Sequence, residues 1–360
     1  MIPNRKTAKR PTVWMGTYHP ERLTTQKMDW RFLQRHMDGV ELYINCVAYL
    51  TPQAELKAFA RELKERNIQV SLQCGYFDWD PSIEVFTTPN PKGIADRVRT
   101  DLKPGVGRIT AEIEMRKIEA LTEMGVVPAV VALDGPVRRL LWPGQDAGRN
   151  ERGLTDLDAA IDEVLLYIRT WRRRFPDTRF VKITNFPNWG WKGEPSYHGS
   201  GENGMQWGDF YEVIETFMRR VRRSRTPFHG LRIDNPYEYA VGTSPQHPVN
   251  DAVAQRLKQI DFMDRVLQLE RYCRANNLEA ELFVNAQHGD ISAAKFREYT
   301  LKYLDEYVQR GGRPDAWFVE SWYKHPEKVG PETDPESMAG ITRDVIKRLW
   351  ALGVPTARKR

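Results

Sequence analysis

Eight short runs in which apolar and polar residues alternate are spread along the chain, each followed by a stretch with helical apolar spacing. The alternating runs predict strands over 12–18, 40–46, 68–74, 127–134, 179–185, 229–234, 279–285 and 315–321. The helical stretches fall at 28–38, 52–66, 109–124, 154–174, 205–224, 250–276, 291–310 and 336–351. Regular strand–helix alternation builds a parallel sheet, and eight such units close most economically into a single (β/α)8 TIM-type barrel. An open doubly wound sheet is the alternative, but no glycine-rich dinucleotide fingerprint follows the first strand. The barrel is expected over 12–351, with an N-terminal extension at 1–11 and a basic C-terminal tail at 352–360.

Connections are lopsided. Helix-to-strand links are short, whereas the strand-to-helix links at 75–108, 135–153, 186–204, 235–249 and 322–335 are long. Barrel active sites are built from strand-to-helix loops, so the chain's elaboration sits on the C-terminal face of the strands. Segments 75–108 and 186–204 are expected over one mouth.

Within the strands, Val13, Met15, Leu42, Ile44, Val70, Leu72, Val181, Ile183, Leu231, Ile233, Leu282 and Val284 share one parity, which places them outward under the helices. The opposite parity is then inward: Tyr18, Glu41, Tyr43, Asn45, Gln69, Ser71, Gln73, Asp134, Lys182, Thr184, Arg232, Asp234, Glu281, Asn285 and Glu320. Unpaired burial of such groups costs several kcal/mol each. The deeper ones (Glu41, Lys182, Arg232 and Glu281) fit a self-satisfied network, and Arg232 is expected to pair with Glu281 on the neighbouring strand.

Three acids close strands four, six and eight: Asp134, Asp234 and Glu320. Inward residues of alternate strands share a layer, so the three can converge on one pocket as catalytic acids. Paired carboxylates suit glycoside hydrolysis, where one protonates the leaving oxygen and the other attacks or activates water. Arg232, two residues before Asp234, would keep Asp234 ionised as nucleophile or base. Glu320, between Phe318 and Trp322 at neighbouring inward positions, would be the proton donor, and Asp134 could exchange roles with either.

Aromatic and amide residues gather on the same face. Tyr18, Tyr76, Trp79, Trp189, Trp191, Tyr237 and Trp322 offer the apolar platforms with polar tips that suit a sugar ring, although rings can equally cement long loops. Asn45, Gln73, Asn185, Asn235, Asn285 and Gln287 supply donor and acceptor together, which matches sugar hydroxyls, and Asn also tolerates tight loop starts. His288 follows strand seven, with His19 and His325 after strands one and eight, but no HxH or HExxH spacing is present, so neither a metal site nor another cofactor is expected.

Composition narrows the class. The chain has 360 residues, 41% of them apolar and 28% charged, which is ordinary for a globular protein. No apolar run reaches the ~18 residues of a membrane span, and the basic N-terminus lacks an apolar signal core, so a cytoplasmic location is expected, or a periplasmic or secreted one if a leader has been removed. Three scattered cysteines give no disulfide framework. A net charge of +6 is mild, and the basic runs 171–175 and 218–225 fall at helix ends where the dipole favours cations, so no nucleic-acid partner is expected.

With its Arg-x-Asp strand end GLRIDNP and the strand-terminal acids Asp134 and Glu320, the chain resembles the (β/α)8-barrel glycoside hydrolases. GLRIDNP falls on the sixth strand, whereas amylase-type barrels carry it on the fourth, so no subfamily follows. The resemblance implies an oligosaccharide or glycoside as the partner. Three readings stay open: a glycoside hydrolase, a metal-dependent sugar isomerase, epimerase or lyase, and a non-catalytic carbohydrate-binding barrel.

Overall fold

A computed structural model of the chain describes residues 10–17, 22, 31–78, 102–142, 153–154 and 156–356. Eight parallel strands pair in chain order and close into a barrel: β1 (Thr12–Thr17), β2 (Gly39–Tyr43), β3 (Gln69–Cys74), β4 (Val130–Asp134), β5 (Arg179–Ile183), β6 (Gly230–Ile233), β7 (Glu279–Val284) and β8 (Ala316–Val319), the last pairing with β1. All eight lie where the alternation put them. Around them run α1 (Leu33–His36), α2 (Gln53–Glu65), α3 (Val106–Lys117), α4 (Glu119–Glu123), α5 (Pro136–Leu141), α6 (Leu157–Arg174), α7 (Phe210–Ser224), α8 (Tyr237–Ala240), α9 (Asp251–Leu257), α10 (Phe262–Ala275), α11 (Ala293–Gln309) and α12 (Met338–Ala351).

Side-chain caps set the helix starts. Asp156, Asp209, Ser292 and Ser337 each accept a backbone N–H from the first turn of α6, α7, α11 and α12. The helix expected over 250–276 is two, because Asp261 caps α10 by accepting from Asp264 N at 3.0 Å. The short α5 and α8 lie inside segments read as loops. The expected N-terminal extension lies almost wholly outside the described residues, whereas the C-terminal tail is described to residue 356, with Val354 buried and Trp350 Nε1 donating to Thr356 Oγ1 at 2.9 Å.

The outward set packs beneath the helices, with Val13, Met15, Leu42, Val70, Leu72, Leu231 and Leu282 in one continuous core. A separate, smaller core fills the barrel itself: Trp14, Val130, Ala132, Val181, Ile183, Phe283, Ala316 and Phe318. Strand β5 is thus turned over relative to the expectation. Val181 and Ile183 point inward, while Phe180 packs under the helices and Lys182 lies 4.3 Å from the Phe210 ring on α7. Thr184 shares the parity of Lys182. RFVKI carries apolar residues at both parities, so either face can be buried, and with this face outward the Lys182 stem lies against the Phe210 ring.

Lys182 is buried, and its Nζ has no hydrogen-bond partner among the described residues. Burial lowers its pKa from 10.5 to about 7. Between these values the unfolded chain holds a proton that the folded one does not, so stability from this site rises with pH across that window. The penalty is complete below about pH 7, where the folded state must bury the charge. Lys182→Met is therefore expected to stabilise the protein most at and below neutral pH and to flatten the dependence above it. Denaturant melts of both proteins at pH 7 and pH 9 would read this, and parallel curves would refute it.

The deeper inward residues form a closed ionic cluster. Arg232 Nε donates to Glu281 Oε2 at 2.7 Å, its Nη1 to Glu41, and its Nη2 to Ser71 Oγ at 3.3 Å. Ser71 Oγ in turn donates to Glu41 Oε2 at 3.0 Å, and Arg179 reaches Glu281 at 3.4 Å. The guanidinium lies 3.5 Å from the Phe318 ring centre, and Phe318 stacks on Trp14. The expected Arg232–Glu281 pair is present, and Glu41 makes it a triad.

Buried glutamates then tie the loops above the barrel. Glu114 of α3 accepts from Gly75 N at 3.0 Å and Tyr76 N at 3.2 Å. Glu163 of α6 accepts from Gly105 N and Gly107 N, both at 2.7 Å, at the start of α3. Glu238 of α8 accepts from Gln287 N at 2.7 Å and His288 N at 3.2 Å after β7. Glu332, after β8, accepts from Phe32 N at 2.8 Å and Leu33 N at 2.9 Å at the start of α1.

Candidate active site

The C-terminal ends of the strands open into a cavity of about 430 Å³. Tyr76 lines it from one side, and Pro187, Asn188 and His198 line it from the other. The two long segments therefore share one mouth, as their lengths implied. Residues 79–101 of the first lie outside the described residues.

Two of the three strand-end acids meet here. Asp134 ends β4 and Asp234 follows β6, with Asn185 after β5 between them. Asn185 Nδ2 donates to Asp134 Oδ1 at 3.3 Å and to Asp234 Oδ2 at 3.1 Å. The nearest carboxyl oxygens are thus within two hydrogen-bond lengths of each other. Asn185 reaches both because its backbone is left-handed, with φ 47° and ψ 50°, a conformation that Asn tolerates better than most residues. Gly135 makes the room: a Cβ there would sit 2.5 Å from Asn185 Oδ1.

One cation separates the acids electrostatically. Asp134 is ion-paired with Arg139 of α5, whose Nε also donates to the Asp134 carbonyl at 2.8 Å. Arg139 Nη1 donates to the buried Asp78 at 2.9 Å. Burial opposes the guanidinium charge, but Asp78 and Asp134 outweigh it and hold the group firmly cationic. Among the described residues Asp234 has no such partner. Burial first, and the nearby Asp134 second, raise its pKa from 3.8 to about 7, against the lowering effect of the Asn185 bond. One carboxylate is thus matched to a cation, and the other holds a proton near neutrality.

The sequence assigned these roles differently. Arg232 was to hold Asp234 ionised, but it is spent deeper in the barrel on Glu281 and Glu41. Glu320 was to donate the proton. It is 1% exposed and does not line the cavity, and it lies against Gly16, where a Cβ would be 2.6 Å from its Cγ. Burial does push its pKa well up, but neither oxygen has a hydrogen-bond partner among the described residues.

Of the other expected binding residues, Asn45, Gln73, Tyr76, Asn185, Gln287 and Trp322 line the cavity. Lys117 Nζ occupies the Asn45 amide oxygen at 2.7 Å. Arg139 lies 4.7 Å from the Tyr76 ring, which fixes that ring at the rim. Trp189 and Trp191 are core residues instead. Trp189 packs edge-on to Trp142 and Trp207, and Trp191 packs against Phe186 and donates to Gln268 at 3.0 Å. Asn235 and Asn285 are buried away from the cavity. Tyr237 donates to Glu306 on α11 at 2.9 Å, and His288 is paired with Glu238. Tyr18 and Trp79 lie outside the described residues.

The principal residue missed was Arg139. Its signal was the basic pair in DGPVRR just beyond the strand acid, read as loop; a one-turn helix begun by Pro136 folds it back over Asp134. Asn188, His198, Trp207, Tyr239, Phe283 and Tyr323 also line the cavity. Among the described residues, no three His, Cys, Asp or Glu side chains are arranged to hold a metal ion, and no helix is long and apolar enough to cross a membrane.

No family model matches the chain, and no curated protein matches it. Among solved structures, it is similar to GH5_18 from Streptomyces cattleya in complex with GlcNAc, at 12% identity and a TM-score of 0.53 over 98% of this chain and 83% of that one. It is also similar to a GH10 endoxylanase from a sugarcane soil metagenome, at 8% identity and a TM-score of 0.51 over 94% and 97%. At these identities the likeness is one of fold, that of a (β/α)8 barrel.

Proposed function

We propose that the protein is a glycoside hydrolase acting at the Asp134–Asp234 pair. The observation that carries this reading is a pair of carboxyls bridged by one amide, only one of them ion-paired, in a cavity lined with aromatic rings and amides. Its volume of about 430 Å³ falls within the ~300–1,000 Å³ of small-molecule sites. Asp234 donates its proton to the glycosidic oxygen as the bond breaks. Asp134, ion-paired with Arg139, either attacks the sugar carbon to give a glycosyl ester that water then hydrolyses, or directs a water onto that carbon as the bond breaks. Asn185 donates to both and keeps them in step. This exchanges the roles read from sequence, with Asp134 as the anionic member, Asp234 as the acid, and Glu320 as a packing residue.

The reading fixes a pH dependence. A donor with a pKa near 7 loses its proton as pH rises through neutrality, so kcat/KM should fall above about pH 7. The assay is hydrolysis of a panel of nitrophenyl glycosides across pH. A rate that keeps climbing through neutrality would remove Asp234 as the acid, and no hydrolysis of any glycoside would end the proposal.

A further inference from the structure

A second cavity of about 540 Å³ adjoins the first, and Gln287 lines both. A third, of about 680 Å³, shares Tyr237, Val241, Thr243 and Lys302 with the second. Their shared lining residues set the three cavities in a row from the acid pair past Gln287 to the residues of α11, and this row is hereafter the trench.

The trench wall is built rather than incidental. Buried Glu238 takes the backbone N–H groups of Gln287 and His288 and pairs with the His288 ring. That ring lies flat on Tyr299, with 3.7 Å between centroids and 8° between planes. The stack, with Ile291 66% exposed beside it, presents an apolar surface. Hydroxyls of Thr243 and Ser244, the Gln287 amide and the Lys302 ammonium surround it. Flat rings rimmed by donors and acceptors match the C–H faces and hydroxyl edges of pyranose units.

We infer that the trench holds further sugar units of an oligosaccharide chain whose scissile bond lies at Asp134 and Asp234. The inference rests on the glycosidase reading and adds to it that the substrate is a chain, bound well beyond the cleaved bond.

The test compares kcat/KM for nitrophenyl glycosides with that for β-linked gluco-, xylo- and N-acetylglucosamine oligosaccharides of graded length. Wild-type enzyme should gain with chain length. Tyr299→Ala removes half of the ring stack, and Thr243→Trp fills the trench from an exposed position. Each should cut the advantage of long chains over short ones by about 10-fold, the size of one lost ring contact. The loss should appear in KM, because these contacts are equal in ground and transition states. An intact length advantage in both variants, or none in the wild type, overturns the trench while hydrolysis itself leaves the glycosidase reading standing. No hydrolysis of any probe overturns that reading, and the trench with it.

Discussion

Replacing Asp234 by asparagine should leave the barrel folded and lower glycoside turnover by about 10²–10⁴, the usual cost of a missing proton donor. Asparagine keeps the size of the side chain and can still accept from Asn185, but it has no acidic proton. The high-pH limb of the rate profile should disappear with it, because that limb is the titration of Asp234. Asp134→Asn should be comparably damaging for a different reason. It removes one of the carboxylates paired with Arg139, and with it the carboxylate placed to face the developing cation. Glu320→Gln is the informative control, since this carboxyl touches no hydrogen-bonding partner among the described residues and does not line the cavity. Kinetics of the three variants with circular dichroism as a folding check would decide. If Glu320→Gln is the crippled enzyme and Asp234→Asn is nearly wild type, the acid pair is misassigned.

Arg232→Met should cost about 3–5 kcal/mol of stability by leaving buried carboxylates without their cation. Glu41 is fully buried and Glu281 nearly so, and Arg232 is the cation that joins them. Methionine fills much of the volume, so the loss is mainly electrostatic. Adding Glu41→Gln to Arg232→Met should recover part of it. Urea midpoints at pH 7 measure both, with an unchanged slope showing that the unfolding transition is the same one. A midpoint shift near zero for Arg232→Met would mean that the cluster is relaxed by water or by Arg179, which already reaches Glu281.

Strand positions were legible because alternation and short helix-to-strand links are properties of sequence. Which face points inward was legible only where one parity was clearly polar. On β6 and β7 the Arg232 and Glu281 pattern decides it. On β5, RFVKI offers apolar residues to both sides, so alternation alone does not choose the orientation. That strand-end acids share a mouth was legible for Asp134 and Asp234, but Glu320, read from sequence as the partner of Asp234, does not line it. The electrostatics of the pair were not legible. Arg232 is two residues from Asp234 in sequence yet belongs to a lower layer, whereas Arg139 reaches Asp134 only through the fold of α5. The tryptophans of the 186–204 segment show a related limit. Composition marks a ring as suited to sugar or to core, and only packing reveals that Trp189 and Trp191 took the core.

The glutamates that hold the mouth constrain how this barrel can be recombined with others. Glu163 sits in one β/α unit and anchors the helix of the unit before it, while Glu238 sits in another and anchors the loop of the unit after it. Glu332, in the eighth unit, reaches across the ring closure to the first. Active-site loops of such barrels are commonly regarded as interchangeable modules on an indifferent scaffold. Here a transplanted loop arrives without its clasp, or leaves a neighbour's carboxylate buried with no N–H to receive. Chimeras should therefore tolerate exchange of contiguous unit pairs that carry both halves of a clasp, and fail when the cut falls between a glutamate and the backbone it holds.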